Sequence, residues 1–159
     1  TFTNTDVIGT EFGGILKNLI AVAIGIVNGV GYGQNTKASI MTRGVSEISR
    51  FAVAFGAKPK TMVGLAGLGD LIATSESPLS RNHKAGEMLG KGYSKREVLA
   101  RLSQTAEGLA SVSTILELAR AKGISMPIVE QVELVIEGKM SPKDIAPHLT
   151  HETEEPQGE

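Results

Sequence analysis

Apolar residues along this chain recur at helical spacing. Between residues 36 and 55 they fall at steps of three and four, which places them on one face of a helix. The members of this pattern are Ile40, Met41, Val45, Ile48, Ala52 and Phe55. Asn35 or Thr36 is expected to cap the start of this helix, and Gly56 to end it in a left-handed turn. No segment shows sustained alternation between hairpin turns, so the chain is predicted to be all-α.

The segment 18–36 carries no formal charge and approaches the length of a membrane span. Its apolar part runs only from Leu19 to Val27 and contains Gly25. Polar residues and further glycines follow it. That length and those flanks are typical of a helix buried in a soluble core. We therefore predict a core helix here and no membrane span.

Capping residues mark two helices in the second half of the chain. Ser80 is expected to begin a helix that ends near Gly90, because its hydroxyl is a good acceptor for the first free N–H groups. Ser94 and Glu97 form a capping box for a helix that reaches about Leu102.

Glycine and proline mark the remaining elements. Gly123 and Gly138 are expected to end two helices, one from about Leu109 and one from Pro127, and a last short helix follows. Between 58 and 82 glycines interrupt the helical periodicity. This region is predicted to consist of short helical pieces joined by tight turns.

The length of 159 residues suits one domain, which we assign to 1–146, followed by an acidic tail at 147–159. Sixteen Lys and Arg against 17 Asp and Glu give a net charge of -1, so nucleic acid and anionic membranes are not expected as partners. The chain has no Cys, which excludes disulfides and thiolate chemistry and favours a cytoplasmic location. Its first residues look like the interior of a longer chain.

Lys17 is the first candidate for chemistry, because it lies among apolar and glycine residues in a predicted helix. Burying an ammonium costs free energy unless the charge is paired. The residues that share its helical face are small or polar and leave space beside the amine: Gly13, Gly14, Ala21, Gly25 and Asn28. A lysine that faces a ligand and a lysine that extends to water at a domain edge both fit this pattern.

Ser80, Arg81 and Asp70 are the other candidates. If Ser80 caps a helix, the free N–H groups of its first turn and the Arg81 guanidinium suit a phosphate; the alternative is an ordinary cap followed by solvated residues. Asp70 ends the segment GLAGLGD, whose glycines do not follow the dinucleotide-binding order. Its carboxylate is expected either to pair with an amine such as Lys17 or only to cap the helix that follows.

The remaining charged residues are interpreted as surface groups. No metal site is predicted, because the spacing of the histidines and carboxylates suits none. The histidines concerned are His83, His148 and His151. Arg43, Glu47 and Arg50 are spaced by four and three residues, which predicts ion pairs on an exposed helix face.

Four motifs follow one another in the chain: DVIGTEFGGILKNLIAVAIGIVNGVGYGQNTKASIMTRG, GLAGLGDL, SRN and AEG. Together, over Asp6 to Gly138, they resemble the C-terminal domain of bacterial NAD(P)-dependent glycerol-3-phosphate dehydrogenases. The resemblance implies a compact multi-helix domain similar to the C-terminal domain of 6-phosphogluconate-dehydrogenase-like enzymes. In the family a Rossmann domain precedes it, and that domain is absent from this chain.

The family reduces dihydroxyacetone phosphate reversibly to sn-glycerol 3-phosphate for phospholipid synthesis. The resemblance implies that Lys17 of the KN pair is the proton donor and acceptor. The implied substrate-binding residues are Asn18, Asp70, Ser80, Arg81 and Asn82, and the implied cofactor contacts are Arg81, Thr105 and Glu107. NAD or NADP would be held mainly by the N-terminal Rossmann domain, and the family suggests a homodimer.

Two alternatives remain open. A related dehydrogenase of the ketopantoate or 6-phosphogluconate type also places a lysine and an asparagine near its substrate, although ketopantoate would not need the phosphate grip of SRN. A non-catalytic helical module would instead use its glycine-rich faces to bind a partner helix. In that case Lys17, Asp70 and Arg81 should lie apart in space.

Overall fold

Helix α1 (Val7–Val30) runs through the middle of the domain, and the other long helices pack against it. The computed structural model describes residues 5–77, 79–102 and 106–146. The elements after α1 are α2 (Gln34–Ala54), α3 (Pro59–Met62), a π-helical turn (Leu65–Gly69), α4 (Asp70–Glu76), α5 (Arg81–Gly90), α6 (Lys95–Arg101), α7 (Glu107–Ala121), α8 (Pro127–Ile136) and a 3₁₀ turn (Pro142–Asp144). The described residues contain no strand, so the predicted all-α fold is confirmed.

The apolar middle of α1 forms the centre of the hydrophobic core. Every residue from Leu19 to Ala23 has no exposed surface, and Ile24 is 3% exposed. By length and composition alone α1 is able to cross a membrane. Its middle is instead covered by the helices of its own domain, as expected of the predicted core helix.

Glycines allow α1 and α5 to pack backbone against backbone. Two lie on each helix, and they face one another: Gly25, Gly29, Gly86 and Gly90. A Cβ atom on Gly25 would lie 2.2 Å from the carbonyl oxygen of His83, and one on Gly86 would lie 2.1 Å from that of Val22. Both distances are far inside van der Waals contact, so only hydrogen fits at these positions. Four of the 19 glycines of the chain therefore serve this one contact between helices.

The predicted caps of the second half are confirmed. The Ser80 hydroxyl accepts the N–H of His83 at 3.2 Å at the start of α5, and Ser94 and Glu97 form a reciprocal capping box at the start of α6. Gly123 has the positive φ expected after a helix end. These caps could be predicted from the sequence because each capping residue lies within a few positions of the helix end that it stabilises.

The start of α2 was predicted wrongly. Neither Asn35 nor Thr36 caps the helix, because α2 begins at Gln34 and its N-cap is Gly33, which supplies no side-chain hydrogen bond. The predicted end is correct, since Gly56 has φ of 102° immediately after the C-cap residue. The segment between α2 and α5 consists of short helical pieces, as predicted.

Glu47 does not belong to a surface ion pair. It is 1% exposed, and its two carboxylate oxygens accept the backbone N–H groups of Ile128 and Val129, each at 3.0 Å. These are the N–H groups at the start of α8, where the N-cap residue Met126 makes no side-chain cap. Burial raises the pKa of Glu47 to about 7, although the two N–H groups and nearby Arg50 oppose this shift. Glu47 therefore caps a helix that lies about 80 residues further along the chain.

The boundary of the predicted acidic tail falls at the edge of the described residues. The 3₁₀ turn lies next to it, and Ile145 and Ala146 are buried in the core. Residues 147–159, including His148 and His151, lie outside the part of the chain that the structure describes.

Candidate functional site

A cavity of about 530 Å³ opens at the N-terminal ends of α5 and α7, beside α1 and α4. Most of the residues that line it are polar or small. They are Gly14, Lys17, Asn18, Ala73, Thr74, Ser77, Leu79, Ser80, Arg81, Asn82 and Glu107. Residues from four separate helices therefore line one cavity.

Lys17 and Asp70 form an ion pair at this cavity. The Lys17 ammonium on α1 donates to an Asp70 carboxylate oxygen at the first position of α4. The Lys17 side chain is 20% exposed and that of Asp70 is 41% exposed. Asp70 was expected either to pair with an amine such as Lys17 or only to cap a helix, and the structure confirms the pairing with Lys17. The carboxylate fixes the position of the ammonium, while partial exposure leaves the remaining N–H groups of Lys17 accessible from the cavity.

Helix α5 points its N-terminus at the cavity. Ser80 is its N-cap residue and the exposed Arg81 is its first residue, and both line the cavity. The start of a helix carries free N–H groups and partial positive charge, and Arg81 adds a planar guanidinium. This corner of the cavity therefore suits an anionic group.

Asn82 is buried where α5 meets α7. It is 9% exposed, and its side-chain oxygen accepts the backbone N–H of Gly108 at 2.8 Å. Glu107, the first residue of α7, is exposed and lines the cavity next to this contact. Asn18 is half-buried on α1, one residue after Lys17.

Most of the predicted site residues come together. Six of them line the cavity: Lys17, Asn18, Ser80, Arg81, Asn82 and Glu107. Asp70 reaches the site through its contact with Lys17. Thr105 lies outside the described residues. The described residues contain no group of three potential metal ligands among His, Cys, Asp and Glu.

His83 is half-buried rather than a surface residue. It lines a second cavity of about 850 Å³ between α1, α2 and α5. Burial lowers the pKa of His83, although Glu87 nearby opposes the shift. Lys37 also lines this second cavity and donates to the side-chain oxygen of Asn28 at 2.6 Å. Neither His83 nor Lys37 lines the cavity of Lys17.

Sequence reasoning missed part of the α4 wall. Ala73, Thr74 and Ser77 line the cavity, at three, four and seven residues after Asp70. The first two spacings are those of one helical face, so Ala73 and Thr74 follow once α4 is known to start at Asp70, whereas Ser77 directly follows the last residue of α4. The sequence did not indicate these positions, because the glycines before Asp70 predict turns and leave the start of α4 undefined.

The fold and the cavity define a class of protein: a helical domain that gathers two cations and a helix N-terminus around one cavity. Comparison with known proteins then gives the family. The chain belongs to the NAD-dependent glycerol-3-phosphate dehydrogenase C-terminus family, whose model matches residues 6–147.

The individual relatives that the chain matches agree with this family. The chain is 69% identical over 159 residues to the glycerol-3-phosphate dehydrogenase (NAD(P)+) of Leifsonia xyli, covering all of this chain and 43% of that protein. It is 58% identical over 131 residues to the Thermobifida fusca protein of the same name, covering 82% and 39%. The crystal structure of glycerol-3-phosphate dehydrogenase from Coxiella burnetii has a TM-score of 0.90 and 37% identity, covering 94% of this chain and 46% of that one. The chain thus spans less than half the length of these proteins.

Proposed function

We propose that this chain is the substrate-binding half of an enzyme that reversibly reduces dihydroxyacetone phosphate to sn-glycerol 3-phosphate with NAD(P)H, and that Lys17 is its proton donor and acceptor. The observation that carries the proposal is the Lys17–Asp70 pair beside a cavity that also holds Arg81. Membership of the family and the names of the relatives support the choice of substrate and cofactor.

Lys17 suits the protonation step. In the direction of reduction, the ketone oxygen gains negative charge as its carbon accepts a hydride, and a proton must reach that oxygen. The Lys17 ammonium would hydrogen-bond the oxygen, stabilise the charge and transfer the proton, which leaves a neutral amine. Asp70 would hold the ammonium in position throughout. In the reverse direction the amine would take the proton from the alcohol.

The N-terminus of α5 suits the phosphate of the substrate. Arg81 offers two parallel N–H donors, and Ser80 places the first turn of the helix against the cavity. Asn18 would bind the substrate hydroxyl next to Lys17. A substrate held at one end by Arg81 and at the other by Lys17 has its ketone fixed at the proton donor.

The described residues provide only part of a dinucleotide site. Arg81 and Glu107 are exposed at the cavity and suit the polar edge of the cofactor, and Thr105 is proposed to assist them. No strand, and so no βαβ unit for the pyrophosphate, occurs in the described ranges. When bound, NAD(P)H supplies the hydride. We therefore propose that an N-terminal Rossmann domain holds most of the cofactor.

The setting of the reaction follows from the same proposal. Its product would supply the backbone of phospholipids, and the enzyme would act in the cytoplasm as a homodimer. A chain without Cys suits that reducing compartment.

The proposal is tested in a hybrid enzyme, in which this chain replaces the matching part of the Leifsonia xyli relative. Oxidation of NADH and NADPH is followed with dihydroxyacetone phosphate and, separately, with ketopantoate. We expect activity with dihydroxyacetone phosphate and none with ketopantoate. Lys17→Met should lower kcat by about 10²- to 10⁴-fold, the usual contribution of a general acid.

A matched control is available in Lys37→Met, since Lys37 is also half-buried and hydrogen-bonded but lies at the second cavity. It should leave kcat close to that of the parent, because Lys37 does not line the cavity of Lys17. Full activity of the Lys17→Met hybrid would exclude Lys17 as the acid. Turnover of ketopantoate instead of the phosphate would reject the proposed substrate.

A further inference from the structure

We infer that Asn82 is a positioning residue: its side-chain oxygen fixes the start of α7 and thereby places Glu107 at the cavity. This inference rests on the proposed function for the role of Glu107 at the cofactor. The new element is a residue of α5 that would affect the cofactor contact by positioning α7. The supporting observation is the hydrogen bond from the Gly108 N–H to the Asn82 side-chain oxygen.

The hydrogen bond fixes which way the Asn82 amide faces. A backbone N–H is only a donor, so the atom that meets the Gly108 N–H at 2.8 Å must be the side-chain oxygen. The nitrogen of the same amide is then left for the cavity that Asn82 lines. Because Asn82 is 9% exposed, little water is present to replace the lost acceptor if the oxygen is removed.

Helix α7 lacks a cap of its own. Its N-cap residue is Ala106, and no side-chain hydrogen bond is made from that position. The first N–H groups of a helix have no partner within the helix, so an external acceptor stabilises its start. Asn82 supplies this acceptor to Gly108 from α5.

Close packing makes the placement of α7 precise. A Cβ atom on Gly108 would lie 2.8 Å from the backbone oxygen of Asn18 and 2.9 Å from the side-chain oxygen of Asn82. The start of α7 therefore lies directly on α1 and α5, with no room for a larger residue. Glu107 precedes Gly108, so its backbone position depends on the same contact.

Two substitutions separate the roles of this side chain. Asn82→Asp keeps an oxygen acceptor for the Gly108 N–H, whereas Asn82→Ala removes it. Hydrogen exchange of the Gly108 amide in this chain is the first measurement. We expect slow exchange in the parent and in Asn82→Asp, and at least tenfold faster exchange in Asn82→Ala. Equal exchange in both variants would overturn the inference.

The link to Glu107 is tested by a double-mutant cycle in the hybrid enzyme, with NADH affinity measured by fluorescence. We expect Glu107→Gln to weaken NADH binding in the parent and in Asn82→Asp by the same factor. In the Asn82→Ala background it should change affinity by less than twofold, because Glu107 is already displaced. Equal effects of Glu107→Gln in all three backgrounds would overturn the inference.

These measurements fail separately from the proposed function. Neither amide exchange nor NADH binding requires turnover, so a hybrid that reduces a different substrate still gives both results. If Asn82→Ala does not fold, Asn82→Asp alone decides: the Gly108 amide must exchange as slowly in this variant as in the parent. Faster exchange in Asn82→Asp would contradict a role that depends on the oxygen.

Discussion

Two glycines of α1, Gly25 and Gly14, have opposite surroundings. At Gly25, in the C-terminal half, a Cβ atom would lie 2.2 Å from the backbone of α5, so the missing side chain brings two helices together. At Gly14, in the N-terminal half, a Cβ would meet nothing within 4 Å, and the residue lines the cavity of Lys17. One helix thus builds a closed core with one glycine and borders an open site with another.

Polar groups differ in the same way between the packed interior and the cavity. In the interior, Glu47 of α2 is 1% exposed and both of its oxygens accept backbone N–H groups of α8. At the cavity, the Lys17–Asp70 pair is 20% and 41% exposed and keeps free N–H groups. Buried polar groups that are fully used stabilise the fold, while partly used ones remain available for a ligand. Substitutions on the two sides of the molecule should therefore affect different properties.

The largest effect is expected from Gly25→Ala. The new methyl would overlap the backbone of α5, which cannot move without disturbing the whole α1–α5 contact. We expect the free energy of unfolding to fall by about 3 kcal/mol or more, the upper range for overpacking a core. Urea unfolding of the chain measures it. A loss below about 1 kcal/mol would show that α5 can shift and that Gly25 and Gly14 do not differ as described.

The sequence predicted the helices better than their contacts. The α6 capping box is confirmed because Ser94 and Glu97 lie three residues apart and satisfy each other. The burial of Glu47 was missed because its partners, Ile128 and Val129, lie about 80 residues away. Nothing in the local spacing of Glu47 distinguishes a carboxylate that caps a distant helix from one on the surface.

The candidate site shows the same division. The motifs KN, SRN and AEG selected six of the eleven residues that line the cavity, because the resemblance compares whole motifs rather than single contacts. Thr74 and Ser77 were missed because they depend on where α4 begins and where it ends. The oxygen of Asn82 faces Gly108, a pairing of residues 26 positions apart that no motif records.

The second largest effect is expected from Glu47→Gln. The amide keeps one oxygen for the α8 N–H groups but places an N–H₂ donor against the other, so we expect a loss of about 2 kcal/mol. The loss should depend on pH. Since burial raises the pKa of Glu47 from its ordinary 4.5 to about 7, the folded state binds the proton more tightly, and this group stabilises the fold less as pH rises from 4.5 to 7. The destabilisation by Glu47→Gln should therefore be larger at pH 5 than at pH 7.5.

Glu97→Gln provides the comparison for this pH dependence. Glu97 also accepts a backbone N–H at the start of a helix, but it is exposed, and its bonds to Ser94 lower its pKa. Its contribution should stay constant between pH 5 and 7.5 and be lost only as pH falls below 4.5. Thermal unfolding at several pH values tests both variants. Parallel pH profiles for the two would show that the burial of Glu47 has no electrostatic consequence.

The smallest change in stability is expected from Gly14→Ala, the same substitution on the same helix as Gly25→Ala. No atom opposes the new methyl, and alanine favours the helix over glycine by roughly 0.5–1 kcal/mol, so the chain should become slightly more stable. The methyl would occupy part of the cavity one turn before Lys17, and kcat/KM of the hybrid enzyme should fall about tenfold, as for one misplaced methyl in a binding pocket. A variant that is more stable but less active would show that Gly14 keeps space for a ligand. Unchanged kcat/KM in a functional hybrid would mean that Gly14 does not contact the substrate. A loss of stability would mean that Gly14, like Gly25, is closely packed.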